Sequence, residues 1–120
     1  MDWSRIRHFK AEEFACPCCG RSEMSQEFLD RLDLARKACG FPLQVTSGFR
    51  CEAHNAAVGG KPDSAHLRGL AADVACPDSR SSLLLVRALL DAGIHRIGVA
   101  KGFVHGDSAA DLPWPALWLY

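Results

Sequence analysis

The stretch Ser64-Ala65-His66-Leu67-Arg68-Gly69-Leu70-Ala71-Ala72-Asp73, answered much later by Val104-His105-Gly106-Asp107, decides how this chain is read. Two histidines and a carboxylate are three donors of the kind a catalytic zinc takes, with a fourth position left for water. Nitrogen and oxygen donors suit zinc, and a site with three protein ligands stays open for chemistry. Small residues and a glycine separate His66 from Asp73, which places the pair on a turn and on the strand that follows it. His105 then arrives from a distant strand to close the site. A His-x6-Asp pair alone is weak evidence, because both residue types are common, and the flanks are what make the pattern specific.

Outward from that stretch, the periodicity alternates between helix and strand. Phe9 to Phe14 reads as a docking segment leading into a cysteine-rich loop. Ser25, followed by Phe28, Leu29, Leu32, Ala35 and Cys39, has the spacing of a capped helix that stops at Gly40. Leu43-Gln44-Val45-Thr46 reads as a strand, Glu52 to Val58 as a short helix, and Leu70 to Ala75 as the strand that carries Asp73. Pro77-Asp78-Ser79 caps a second strong helix through Leu90, ended by Gly93. Ile97 to Val99 and Phe103 to His105 form a hairpin around Lys101-Gly102. Two long helices with three or four antiparallel strands make an α+β domain. The sequence has no repeat, low-complexity tract or linker. One domain over 1–120 is expected, with a Cys-rich segment at 1–24 and the functional core at 25–120.

Fourteen basic residues balance fourteen acidic ones, and 48% of the chain is hydrophobic. That excludes a disordered chain and a nucleic-acid partner held by bulk positive charge, and leaves recognition to a local site. The longest apolar runs, Leu83 to Val86 and Ala116 to Tyr120, are too short to span a membrane. Met1 to His8 holds no apolar run of the signal-peptide kind, so a cytoplasmic monomer is expected as synthesised. Six cysteines leave two readings. Cys16-Pro17-Cys18-Cys19-Gly20 has the form of half a zinc ribbon, but no second Cys-x-x-Cys follows it, and Cys39, Cys51 and Cys76 are scattered. Buried thiols, with one or two disulfides tying the N-terminal loop to the segment around Cys51, are the plainer expectation; a structural zinc is the other.

The flanks Thr46-Ser47-Gly48-Phe49-Arg50-Cys51, His54-Asn55-Ala56-Ala57-Val58-Gly59-Gly60, Ser64-x-His66-x-x-Gly69-x-Ala71-x-Asp73 and Phe103-Val104-His105-x-Asp107 resemble the zinc D-alanyl-D-alanine carboxypeptidase family. That family includes bacterial cell-wall peptidases and phage endolysins and shares its fold with the hedgehog signalling domain. The likeness is nearest to short, single-domain phage and prophage members and runs from about Phe9 to Trp118. It implies a hedgehog/DD-peptidase-like fold, Zn²⁺ held by His66, Asp73 and His105, and a peptidoglycan peptide as substrate, cut next to a D-amino acid. A wall substrate would require that something else release the chain. The resemblance puts Arg50 in the cleft, on substrate or on the polarised carbonyl, where a guanidinium fork suits a carboxylate or a developing oxyanion. Ser64 matches a substrate-contacting serine, and it equally suits a loop hydroxyl that satisfies backbone.

The catalytic base is where the chain departs from the pattern. Many relatives carry an acid or a histidine shortly before the last ligand, but Ile94 to Val104 holds no carboxylate and only His95. Asp107 remains, on the same strand face as His105, either as the base or as a group orienting a ligand. His8, His54 and His95 read as ordinary surface residues, and the aromatics Trp114, Trp118 and Tyr120 as packing over the sheet or lining a groove. The alternatives to a peptidase are a non-catalytic zinc domain that binds cell wall or protein, and a phage structural domain that keeps the fold alone.

Overall fold

Both long helices begin where the sequence supplies a cap. The computed structural model describes every residue from Met1 to Tyr120. In α1 (Gln26–Cys39) the Ser25 hydroxyl accepts from the Phe28 N–H at 3.3 Å, and Gly40 closes the helix in the left-handed conformation. The short α2 (Glu52–Ala57) follows the Arg50 turn. In α3 (Ser79–Asp91) the Asp78 carboxylate accepts from the Ser81 N–H at 2.7 Å. The buried stripes, Phe28, Leu29, Leu32 and Ala35 on α1 and Leu85, Ala88 and Leu89 on α3, have the spacing of one-sided helices. These helices pack on each other, and α3 lies against β2 (Ala71–Cys76) and β4 (Gly102–Asp107).

With β1 (Val45–Ser47), β3 (Arg96–Ala100) and β5 (Ala116–Leu119), these strands form one sheet in the order β1-β2-β4-β3-β5. The expected α+β domain is present, with one strand beyond the three or four antiparallel ones: β5 runs parallel to β3, so the sheet is mixed. The chain leaves β4 beside Arg96, crosses the end of β3 through residues 108–115, and turns back with Ala116 opposite Arg96. Leu117 and Leu119 stay exposed on this edge, so no burial pattern marks β5 in the sequence.

Alternate strand residues meet the helices. Ala72, Val74, Ile97 and Val104 join the helical stripes in one core, which also takes Ile6, Phe9, Phe14, Cys16 and Met24 from the N-terminal segment. The residues between them point to the opposite face. There the register lines up a row across all five strands: Ser47, Asp73, His105, Gly98 and Trp118. The next row along is Ala71, Asp107, Arg96 and Ala116. These two rows are the floor of the site.

Candidate metal centre

Three donors converge on the first row. His66 rides a 3-10 turn (Ala65–Arg68) capped by Ser64, whose hydroxyl accepts from the His66 N–H at 3.3 Å. His66 Nδ1 lies 2.7 Å from the Gly48 carbonyl, which only accepts, so Nδ1 carries the proton and Nε2 faces Asp73 Oδ1 at 3.3 Å. His105 places Nδ1 2.8 Å from the same Oδ1 and Nε2 2.7 Å from Asp107 Oδ2. The donor atoms of His66, Asp73 and His105 lie within 4.8 Å of one another, and none of the three residues is more than 9% exposed.

The ring nitrogens decide whether a cation fits. His66 turns a lone pair towards a carboxylate oxygen, and His105 has a carboxylate oxygen at both nitrogens. Acceptors gathered around one point need extra protons or a cation, and two imidazoles with one carboxylate are a donor set zinc takes. The residues fit zinc. Without a metal, protons meet the need. Burial works against a charged His105 ring, but bonds to Asp107 and Asp73 outweigh it and raise the pKa. Burial pushes the Asp73 carboxyl up, and the bonds from His105 and His66 overcome it, holding the group well below the usual carboxylate range.

Asp107 is 2% exposed and has both oxygens engaged. Oδ2 takes the His105 ring, while Oδ1 accepts from Arg96 Nε at 2.8 Å and from the Ala109 N–H at 3.1 Å. Burial raises its pKa, and the His105 bond, then the Ala109 N–H and Arg96, bring it below the ordinary value. This contact fixes which nitrogen of His105 is left to face Asp73.

Above the donors opens a cleft of about 690 Å³, lined also by Arg50, Asp63, Ser64, Phe103, Trp118 and Tyr120. Arg50 spends Nε on Ser47 Oγ at 3.0 Å, Nη1 on Asn55 Oδ1 at 3.3 Å and Nη2 on Asp73 Oδ2 at 3.4 Å. A guanidinium has about five N–H donors, so two stay available to a ligand. The peptidase M15 family matches the sequence over residues 7–107, which takes in all three donors, Arg50 and Asp107.

The chain belongs to the peptidase M15 family. No curated protein matches it closely enough to count as a relative. M15 peptidases are zinc metallopeptidases of the cell-wall peptide type, which agrees with the donor set of this member.

Two residues of this M15 site, Asn55 and Arg96, escaped the sequence reading, and a third, Trp118, was expected to pack over the sheet or to line a groove. Asn55 is buried; it holds Arg50 through Oδ1 and anchors itself to the Lys61 carbonyl at 2.9 Å. Its only signal is a polar residue on the inner face of a short helix. Arg96 pairs with Asp107, and the hairpin register contained that answer: Val99 opposite Val104 puts Arg96 opposite Asp107. Trp118 stands on β5 with its ring 5.4 Å from that of His105, and the Arg96 guanidinium lies 5.0 Å above the indole. Gly98 makes room for it, since a Cβ there would sit 2.5 Å from the indole nitrogen. Trp118 and Tyr120 thus line the groove, and both lie outside the span that matches the M15 family. A slightly larger hollow, about 740 Å³, lies beyond Asp107 between α1, the end of α3 and Trp114. It holds none of the three donors, so the chemistry belongs to the smaller cleft. His8, His54 and His95 line neither the donor group nor that cleft.

Proposed function

We propose that this chain is a zinc-dependent hydrolase of bacterial cell-wall peptide that cuts a bond next to a D-amino acid, as a D,D-carboxypeptidase or endolysin does. The observation that carries the reading is the convergence of His66, Asp73 and His105 at the floor of a cleft that Arg50 also lines. When bound, zinc supplies Lewis acidity, polarising a carbonyl and acidifying water. His66 Nε2, an Asp73 oxygen and His105 Nδ1 are the atoms that hold it. Asp107 is a positioning residue: it orients His105 from the ring edge away from Asp73 and raises its basicity. Arg50 offers its two spare N–H groups to a substrate carboxylate or to the oxygen on which charge develops. Trp118 walls one side of the cleft, its ring 5.4 Å from that of His105.

The second reading, a zinc domain that binds cell wall without cutting it, has one observation in its favour. Both Asp107 oxygens are occupied, and Asp63 is the remaining side-chain carboxylate that lines the cleft beside Asp73. Incubating zinc-loaded protein with purified peptidoglycan separates the two. Release of peptides or free D-alanine, seen by mass spectrometry and abolished in His66→Ala, is the expected result. Binding to the wall with no released product would establish the non-catalytic reading instead.

A further inference from the structure

The cysteine-rich loop does not lack the partner its sequence failed to show. Cys16, buried at 1% exposure, and Cys19 lie on the turn Cys16-Pro17-Cys18-Cys19-Gly20, which closes through Gly20 N–H to the Cys16 carbonyl at 2.7 Å. Cys51, the N-cap of α2, brings its sulfur 3.7 Å from Cys16 Sγ, and the sulfurs of Cys16, Cys19 and Cys51 all lie within 4.8 Å of one another. No two of the six cysteines are joined. We propose that Cys16, Cys19 and Cys51 hold a second, structural zinc ion, with Cys18 as the fourth ligand.

Geometry and hydrogen bonding both support the site. Four sulfurs about 2.3 Å from a zinc stand about 3.8 Å apart at the corners of a tetrahedron, close to the Cys16–Cys51 separation. Two thiols in ordinary contact reach a similar distance, so the third sulfur, with the N–H on Cys16 Sγ, is what discriminates. The Cys51 N–H points at Cys16 Sγ at 3.5 Å. An N–H donor on a sulfur favours the thiolate, the form that binds metal. Cys18, exposed on the same turn beside Cys19, lies outside the group of three sulfurs and is the free thiol nearest in the chain to complete it. Arg21, two residues along from Cys19, offsets part of the negative charge that four thiolates around one zinc would leave. Four protein ligands close a site, which suits structure and not turnover. What it would secure is the join between the N-terminal loop and the turn that carries Gly48 and Arg50.

The test uses the 120-residue His66→Ala chain, in which the cleft loses a donor and the cysteines are intact. Purified under reducing conditions, it should keep one zinc per chain by elemental analysis. Its cobalt-substituted form should show an intense thiolate-to-cobalt charge-transfer band, which nitrogen and oxygen donors cannot give. Cys19→Ser added to this background should abolish the band, and a mercurial thiol reagent should release the zinc from the parent chain without further mutation. The proposal is overturned by a His66→Ala chain without tightly held metal, or by a cobalt spectrum without the sulfur band. An intact mass lower by the two hydrogens of a Cys16–Cys51 disulfide would overturn it equally. None of these readouts uses hydrolysis, so failure of the catalytic reading leaves them untouched.

Discussion

Replacing Asp107 with asparagine separates orientation of a ligand from proton transfer. Asparagine keeps the shape but offers one acceptor oxygen where the carboxylate uses two. It can accept from His105 Nε2 or from Arg96 and Ala109, and its NH₂ must face the other side. The surviving bond is neutral on the Asp107 side, and bonds to charged groups are worth about 1.5–3 kcal/mol against about 0.5–1.5 for neutral ones. Loss of that difference, plus one donor left facing an NH₂, comes to about 1.5–3 kcal/mol. At about 1.4 kcal/mol per factor of ten, zinc affinity in the cleft should fall about 10–100-fold. Competition against a chromophoric chelator measures it, and turnover at saturating zinc should return close to that of the parent. The reasoning fails if zinc affinity is unchanged while turnover at saturating zinc drops about 10²–10⁴-fold, the loss expected on removing a general base.

The other expectations are direct. His66→Ala should lower the zinc content by one ion per chain, since three protein donors in the cleft become two; an unchanged content refutes the ligand set. Arg50→Lys should keep the metal but lower kcat/KM on a wall peptide by about 10–100-fold, because an ammonium cannot serve Ser47, Asn55, Asp73 and a ligand together. The raised pKa of metal-free His105 means that its proton competes with zinc. Affinity should therefore rise with pH until that pKa is passed, with proton release on binding measurable by calorimetry in buffers of differing ionisation enthalpy. In the metal-free chain the same ring stabilises the fold below its unfolded pKa, a gain lost as pH rises through the folded one. The lowered Asp73 and Asp107 contribute above their unfolded pKa, and this is lost as pH falls through their folded values. Gly48→Ala would bring a Cβ within 2.6 Å of the Phe14 Cα. It should cost about 1–3 kcal/mol in thermal unfolding and weaken zinc binding as the carbonyl that holds His66 moves.

His66, Asp73 and His105 were legible because each sits in a flank with its own spacing, and the two long helices because caps and apolar stripes agree along one stretch of chain. What escaped is what the tertiary fold alone brings together. Asn55 meets Arg50 only after α2 folds back over the Ser47–Arg50 turn. The strand β5 has neither alternation that matches its burial nor a turn signal for pairing across β3, so Trp118 read as a packing residue with a groove role as the alternative. Cys51 lies thirty-five residues from Cys16, too far for a local motif to announce the pair. The role of Asp107 could be narrowed only once the direction of the His105 ring was known, because strand parity places the two on one face without saying which nitrogen they share.

The strand order also sets a timetable for synthesis. As the chain leaves the ribosome β1 and β2 can pair at once, but β3 has no hydrogen-bonded neighbour until β4 follows it, because its partners are β4 and β5. The middle strand is thus a late arrival, and it carries His105. Asp73 and His105 are 32 residues apart, which at about 5–20 residues per second is a wait of about 2–6 s with only two donors in place. During that interval the nascent chain has a two-stranded ribbon, an unpaired β3 and no complete cation cage. Capture of an ion by all three cleft donors can only follow the pairing of β4 with β2, which makes uptake in the cleft a report on that step.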